Sequence, residues 1–101
     1  MQPRIDFYTA SPDALKAMIA LDTAVSKLPL EKSLIELVKL RASQINGCAF
    51  CVDMHTADAR KAGETERRLY AVSVWRETPF FSPRERAALA WTESLTQLSQ
   101  T

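Results

Sequence analysis

Nowhere does the chain alternate apolar and polar residues in the Val-, Ile- or Thr-rich run that a half-buried strand requires. Its apolar residues instead recur three and four positions apart, and two glycines and five prolines cut that pattern into segments. The fold class that follows is all-α, about five helices in one domain spanning residues 1–101. The first helix is expected from Ser11, an N-cap followed by Pro12 and Asp13, to about Ser26, with Leu15, Met18, Ile19 and Val25 as its apolar stripe. A second should run from about Glu31 to Asn46 and stop at Gly47. Because Leu34, Ile35, Leu37, Val38, Leu40, Ala42 and Ile45 cover more than one of its faces, that helix should be central.

The third helix should begin at or just before Cys48 and end at Gly63, and the fourth should cover about Thr65 to Trp75 with Leu69, Val72 and Trp75 inward. Ser82-Pro83-Arg84-Glu85 opens the fifth, with Ser82 as N-cap, Pro83 at N1 and Glu85 completing a capping box. Ala88, Leu89, Trp91, Thr92, Leu95 and Leu98 continue it at helical spacing. Hydrophobic residues make up 47% of the chain, enough for a core without metal or disulfide staples.

Thirteen basic and twelve acidic side chains leave a formal charge of +1, which gives no electrostatic reason to bind nucleic acid or an anionic membrane. Met1 to Ala10 lacks the apolar core of a signal peptide, and no apolar run approaches the roughly 20 residues of a membrane span. A cytoplasmic location is the expectation. In that reducing compartment a lone C-x-x-C pair serves catalysis, redox sensing or metal binding more often than it staples a fold.

Both cysteines and the one histidine fall in a single stretch, which together with a preceding glutamate reads E-x11-C-x-x-C-x3-H: Glu36, Cys48, Cys51 and His55. Cys51 and His55, four residues apart on one helix, share a face, and Cys48 lies one turn earlier. At a helix N-terminus the unpaired N–H groups and the macrodipole favour thiolate over thiol. Glu36 must arrive from the preceding helix, turned back antiparallel after Gly47, as a proton-transfer group beside the thiols. The bland alternatives are a glutamate paired on the surface with Lys39 or Lys32, a hydrogen-bonded core histidine and inert buried cysteines. Zinc would need Glu36, Asp53, Asp58 or water as fourth ligand beside the two thiolates and the imidazole. A second C-x-x-C or histidine is missing, so neither metal nor cofactor is expected.

The segment Asn46-Gly47-Cys48-Ala49-Phe50-Cys51-Val52-Asp53-Met54-His55-Thr56, with Glu36 before it and Gly63 after, resembles the alkylhydroperoxidase D core of the carboxymuconolactone decarboxylase-like family. The resemblance covers about residues 30–100. It implies a helical domain that assembles as a homo-oligomer, commonly a trimer or hexamer, and a peroxidase or disulfide reductase supported by an external dithiol or protein reductant. It further implies that Cys51 attacks a hydroperoxide and becomes a sulfenic acid, that Cys48 resolves it as a disulfide and donates a proton, and that Glu36 and His55 form the proton relay. Phe50 stands where some members carry a second histidine, so that imidazole has no counterpart here. Family members often continue through further helices, whereas this chain stops at Thr101 on an incomplete apolar helix; the expectation is either a shortened copy of such a protein or a core completed through a partner subunit.

Two other readings accompany this one: a γ-lactone decarboxylase, which would not need the cysteine pair, and a non-enzymatic helical redox-sensing or assembly module. Phe80 and Phe81 are expected to pack within one subunit, with an interface or a substrate contact as alternatives. Arg67, Arg68, Arg84 and Arg86 are read as solvated helix faces.

Overall fold

A computed structural model of the chain describes residues 4–100; Met1 to Pro3 and Thr101, on which the readings of the two chain ends partly rest, lie outside it. The described residues form helices α1 (Phe7–Ala10), α2 (Pro12–Ser26), α3 (Lys32–Asn46), α4 (Ala49–Lys61), α5 (Glu66–Ala71) and α6 (Pro83–Thr96). Two short 3-10 turns, Val72–Glu77 and Leu98–Gln100, complete them, and no strand occurs among the described residues. The expected all-α class is observed, and α3 is the central helix, packed against both α4 and α6.

The core is built from Leu37 and Leu40 of α3, Ala59 of α4, Leu69, Val72 and Trp75 of the following segment, Phe81, and Leu89 of α6. Leu37, Leu40, Val72 and Leu89 are almost wholly removed from water. Burying each such side chain contributes on the order of 1.5–3 kcal/mol. Phe81 packs inside this core, as expected of a side chain serving its own subunit, and the Arg68 guanidinium lies 4.9 Å from its ring centre.

The expected fourth helix is shorter than its pattern suggested. It stops at Ala71 and tightens into a 3-10 turn in which Val74 leaves helical geometry at φ −124°, ψ 29°. Val72, Ser73 and Val74 are weak helix formers, and the kink coincides with a tertiary bond: Trp75 donates its indole N–H to Glu93 at 3.0 Å. The capping box at Ser82 is present in full, with the Ser82 hydroxyl accepting from the Glu85 N–H and the Glu85 carboxylate accepting from the Ser82 N–H. Ser11 precedes α2 as expected but makes no side-chain cap bond.

Of the arginines read as solvated, Arg67 and Arg84 are exposed as expected, whereas Arg68 and Arg86 are partly buried and bond to backbone and side-chain acceptors. Arg68 donates to Glu64, to Glu85 at 2.6 Å and to the Phe80 carbonyl at 2.8 Å, closing the α5–α6 connection. Arg86 donates to the carbonyls of Trp75, Arg76 and Thr78 where the 3-10 turn ends, that of Trp75 also accepting from Thr78. Arg84 pairs with Glu31 at the start of α3, and Arg67 lies over the Phe80 ring. Apart from the i,i+4 pair of Arg68 with Glu64, these partners lie 8 to 53 residues away, beyond the reach of helical spacing.

Helix α2 departs most from the sequence expectation. It packs against α1, and none of its residues is buried; Met18, Ile19, Leu21 and Val25 are all exposed. The radius of gyration is 15.1 Å, whereas a closed domain of about 100 residues has about 13 Å. The difference reflects α1 and α2 standing off the α3–α6 body.

Glu93 binds Arg41 at 2.9 Å, Arg76 at 3.0 Å and Trp75, tying α3, the 3-10 turn and α6 together. Burial pushes its carboxyl up, but those three donors outweigh burial and hold it below the usual carboxylate range. Glu85 is lowered in the same way, burial raising it while Arg68 and the Ser82 N–H lower it further. Folded pKa values below the unfolded ones mean stability that is full above about pH 4.5 and lost as pH falls through the folded values. Thermal melts of wild type and Glu93→Gln should therefore differ most near neutral pH and converge toward about pH 3; a gap that stays constant with pH would count against this account.

Candidate active site

The α3–α4 turn delivers the site. Gly47 sits at φ 67°, a left-handed conformation that costs a Cβ-bearing residue, and its N–H bonds to the Gln44 carbonyl while the Cys48 N–H bonds to Ser43. This is a Schellman closure that satisfies the last carbonyls of α3 and reverses the chain within two residues. Cys48 is consequently the N-cap of α4. Its sulfur accepts the Cys51 backbone N–H at 3.2 Å, where the sequence pattern had put the cysteines at a first turn.

Cys48 and Cys51 are joined as a disulfide with Cα atoms 5.3 Å apart. Both sulfur-bearing residues are half-buried, and Phe50 between them projects into solvent at 75% exposure. His55 lies one turn after Cys51 on the same face, as its spacing requires. A cavity of about 340 Å³ is lined by Cys48, Cys51, Met54 and His55 from α4, Lys39, Ser43 and Asn46 among the residues of α3, and Asp22 from α2.

Glu36 is buried, as a residue on the α4-facing side of α3 should be, and its carboxylate lies 3.3 Å from Nδ1 of His55. Neither Lys32 nor Lys39 is its partner. Glu36 does not line the cavity, and the contact it makes on that side is with His55, the residue expected to share a relay with it. The antiparallel return of α4 brings these two residues together across 19 positions of sequence.

Asp58 joins this pair: one ligand atom from each of Glu36, His55 and Asp58 lies within 4.8 Å of the others. Asp58 is three residues past His55 and seven past Cys51, so the helical stripe that flagged His55 extends to it. Among the described residues, that trio is the group whose donors converge as a metal site would need, and neither cysteine is part of it. Ser43, also unflagged by sequence, is buried on the cavity wall and donates its hydroxyl to the Lys39 carbonyl at 2.6 Å.

A cysteine pair at a helix start, with an imidazole one turn on and a buried carboxylate behind it, has counterparts among known proteins. The profile of the carboxymuconolactone decarboxylase family matches residues 12–94. The chain belongs to this family. Its core is of the AhpD type: a stretch of 64 residues is 36% identical to the alkyl hydroperoxide reductase AhpD of Hyphomonas neptunium, covering 63% of this chain and 33% of that protein. An uncharacterized Bacillus subtilis protein, YdfG, is 45% identical over 96 residues, 95% of this chain and 65% of YdfG. A crystal structure of a protein of unknown function from Agrobacterium tumefaciens, a candidate AhpD antioxidant-defence protein, superposes with a TM-score of 0.90 at 47% identity, over 99% of this chain and 68% of that one. The chain thus spans 65% or less of the length of these curated relatives.

The geometry predicts a thiol count that follows redox state. Titration of the denatured chain with a thiol reagent should find two free thiols after dithiothreitol treatment and none after peroxide oxidation, with a mass loss of two hydrogens. Dimers linked through cysteine on a non-reducing gel would contradict an intrachain pair.

Proposed function

We propose that the chain is a thiol-dependent peroxidase that reduces hydroperoxides through the Cys48–Cys51 pair, with an external dithiol or protein reductant restoring it. The observation that carries this reading is the convergence on one cavity of a disulfide-forming pair and an imidazole that is itself held by a buried carboxylate. In the cycle, the Cys51 thiolate attacks the terminal oxygen of the hydroperoxide, the O–O bond breaks, and the alkoxide leaves as alcohol after taking a proton. Cys51 is now a sulfenic acid. The Cys48 sulfur displaces its oxygen as water and forms the disulfide, and the external dithiol reduces that disulfide by exchange, becoming a disulfide itself.

His55 supplies and recovers the protons, with Glu36 holding its tautomer and stabilising the imidazolium, an arrangement whose loss typically costs 10²–10⁴ in rate. Regeneration by dithiol suits a cytoplasmic setting. Among the described residues no helix is long and apolar enough to cross a membrane. Lactone decarboxylation has no use for a cysteine pair, and no other feature of the cavity favours it.

Cys51→Ser should abolish hydroperoxide consumption, and Cys48→Ser should stop after one turnover with a trappable sulfenic acid at Cys51. Glu36→Gln should lower turnover by about 10²-fold while leaving the disulfide able to form. Undiminished turnover in Cys51→Ser would sink the assignment.

The working form is proposed to be a homo-oligomer. Two apolar surfaces stay largely exposed among the described residues: the α2 face of Met18, Ile19 and Val25, and a groove of about 660 Å³ between α3 and α6 lined by Leu34, Ile35, Val38, Ala88 and the exposed Trp91. Surfaces of this kind on one chain are satisfied by a second copy. Light scattering should give a multiple of 11.3 kDa, shifting toward the monomer in Trp91→Glu; a wild-type monomer at micromolar concentration would refute the assembly.

A further inference from the structure

One charged side chain on the redox cavity, Lys39, is in no ion pair among the described residues. Of the five lysines in the chain, Lys16, Lys27, Lys32 and Lys61 are exposed and Lys39 alone is half-buried. Five arginines, at 41, 60, 68, 76 and 84, are in ion pairs, whereas none of the ion pairs among the described residues includes Lys39. A lysine that lines a cavity without an ion pair gains when an anion forms near its ammonium. Its place on the wall therefore makes physical sense if an anion forms opposite it in another state of the protein.

Helical register specifies where that anion would be. Lys39, Ala42, Ser43 and Asn46 succeed one another along one flank of α3 and form one wall of the cavity; Cys48, Cys51 and His55 form the wall contributed by α4. Asp22 reaches the cavity from α2 but lies beyond ion-pair distance of Lys39. Glu36 and Asp58 gather at His55 and do not line the cavity. The charged and titratable groups on the cavity are thus Asp22, Lys39, His55 and the cysteines at the positive end of α4.

We propose that Lys39 is the electrostatic partner of the thiolate released into the cavity when the Cys48–Cys51 disulfide is reduced. An external dithiol gives two electrons and two protons, its own sulfurs joining as a disulfide, and leaves Cys48 and Cys51 as thiols. Loss of one proton to solvent then places a thiolate on the wall opposite the ammonium, adding to the stabilisation that the α4 N-terminus already provides. The inference rests on the redox reading only in taking the pair to cycle between these two states; it does not depend on the oxidant being a hydroperoxide.

The test is the pH dependence of iodoacetamide alkylation of the fully reduced chain, for wild type and for Lys39→Met, Lys39→Gln and Lys39→Arg, each first shown by circular dichroism to be folded. Removing the charge should raise the alkylation midpoint by about one pH unit and slow alkylation below it about tenfold, while the arginine variant keeps the wild-type midpoint. Midpoints of the methionine and glutamine variants that coincide with wild type would overturn the proposal, as would an arginine variant that titrates like them. Hydroperoxide turnover is followed separately. A shifted midpoint in a protein without turnover sinks the peroxidase reading and upholds Lys39, and turnover with an unshifted midpoint does the reverse.

Discussion

The two-residue reversal at Gly47 and Cys48 is the constraint on which the rest of the molecule depends. Left-handed geometry at Gly47 closes α3, and the next residue opens α4, so the two helices return antiparallel with no loop between them. Because the turn is so short, the rotational setting of α4 against α3 has little freedom. That setting puts the Cys51 and His55 face of α4 toward the Glu36 face of α3. Any longer connection would loosen the register between an imidazole and a carboxylate that meet within 3.3 Å.

Polar contacts elsewhere hold that helix pair against the remaining chain. Glu93 gathers Arg41, Arg76 and the Trp75 indole, and Arg68 gathers Glu64, Glu85 and a backbone carbonyl. Each hub joins elements that also meet in the apolar core, and each carboxylate accepts charge-assisted bonds of the stronger kind. The kink at Val74 is a consequence: a continuous helix would carry Trp75 in a different direction from the one that reaches Glu93. Acid should therefore loosen the α5–α6 half through the same carboxylates.

The first helices follow a different logic. Sequence periodicity marks α2 as amphipathic, and among the described residues it packs mainly against α1. A face of this composition, a separate apolar groove beside Trp91, and Asp22 reaching the redox cavity give α2 two neighbourhoods, one polar and one apolar. Assembly with a second copy would cover the latter without disturbing the former.

Local chemistry written in consecutive residues was legible without a structure: the capping box at Ser82, the stop at Gly47, the first-turn position of the cysteines, and the shared face of Cys51 and His55. These follow from rules of three, four or five positions, which hold wherever the chain is helical. Tertiary structure alone decided that Glu36 meets His55 and lies off the cavity, that Asp58 joins them, that Lys39 lines one cavity with the cysteines, and that Arg41, Arg84 and Arg86 bind acceptors on other parts of the chain. It also decided that the stripe on α2 is not core, since a periodic pattern names an apolar face but not what covers it. Partners separated by 19 or 52 residues, as Glu36 is from His55 and Arg41 from Glu93, are set by how helices pack. No spacing rule reaches that far, because the geometry between two helices depends on the side chains of both.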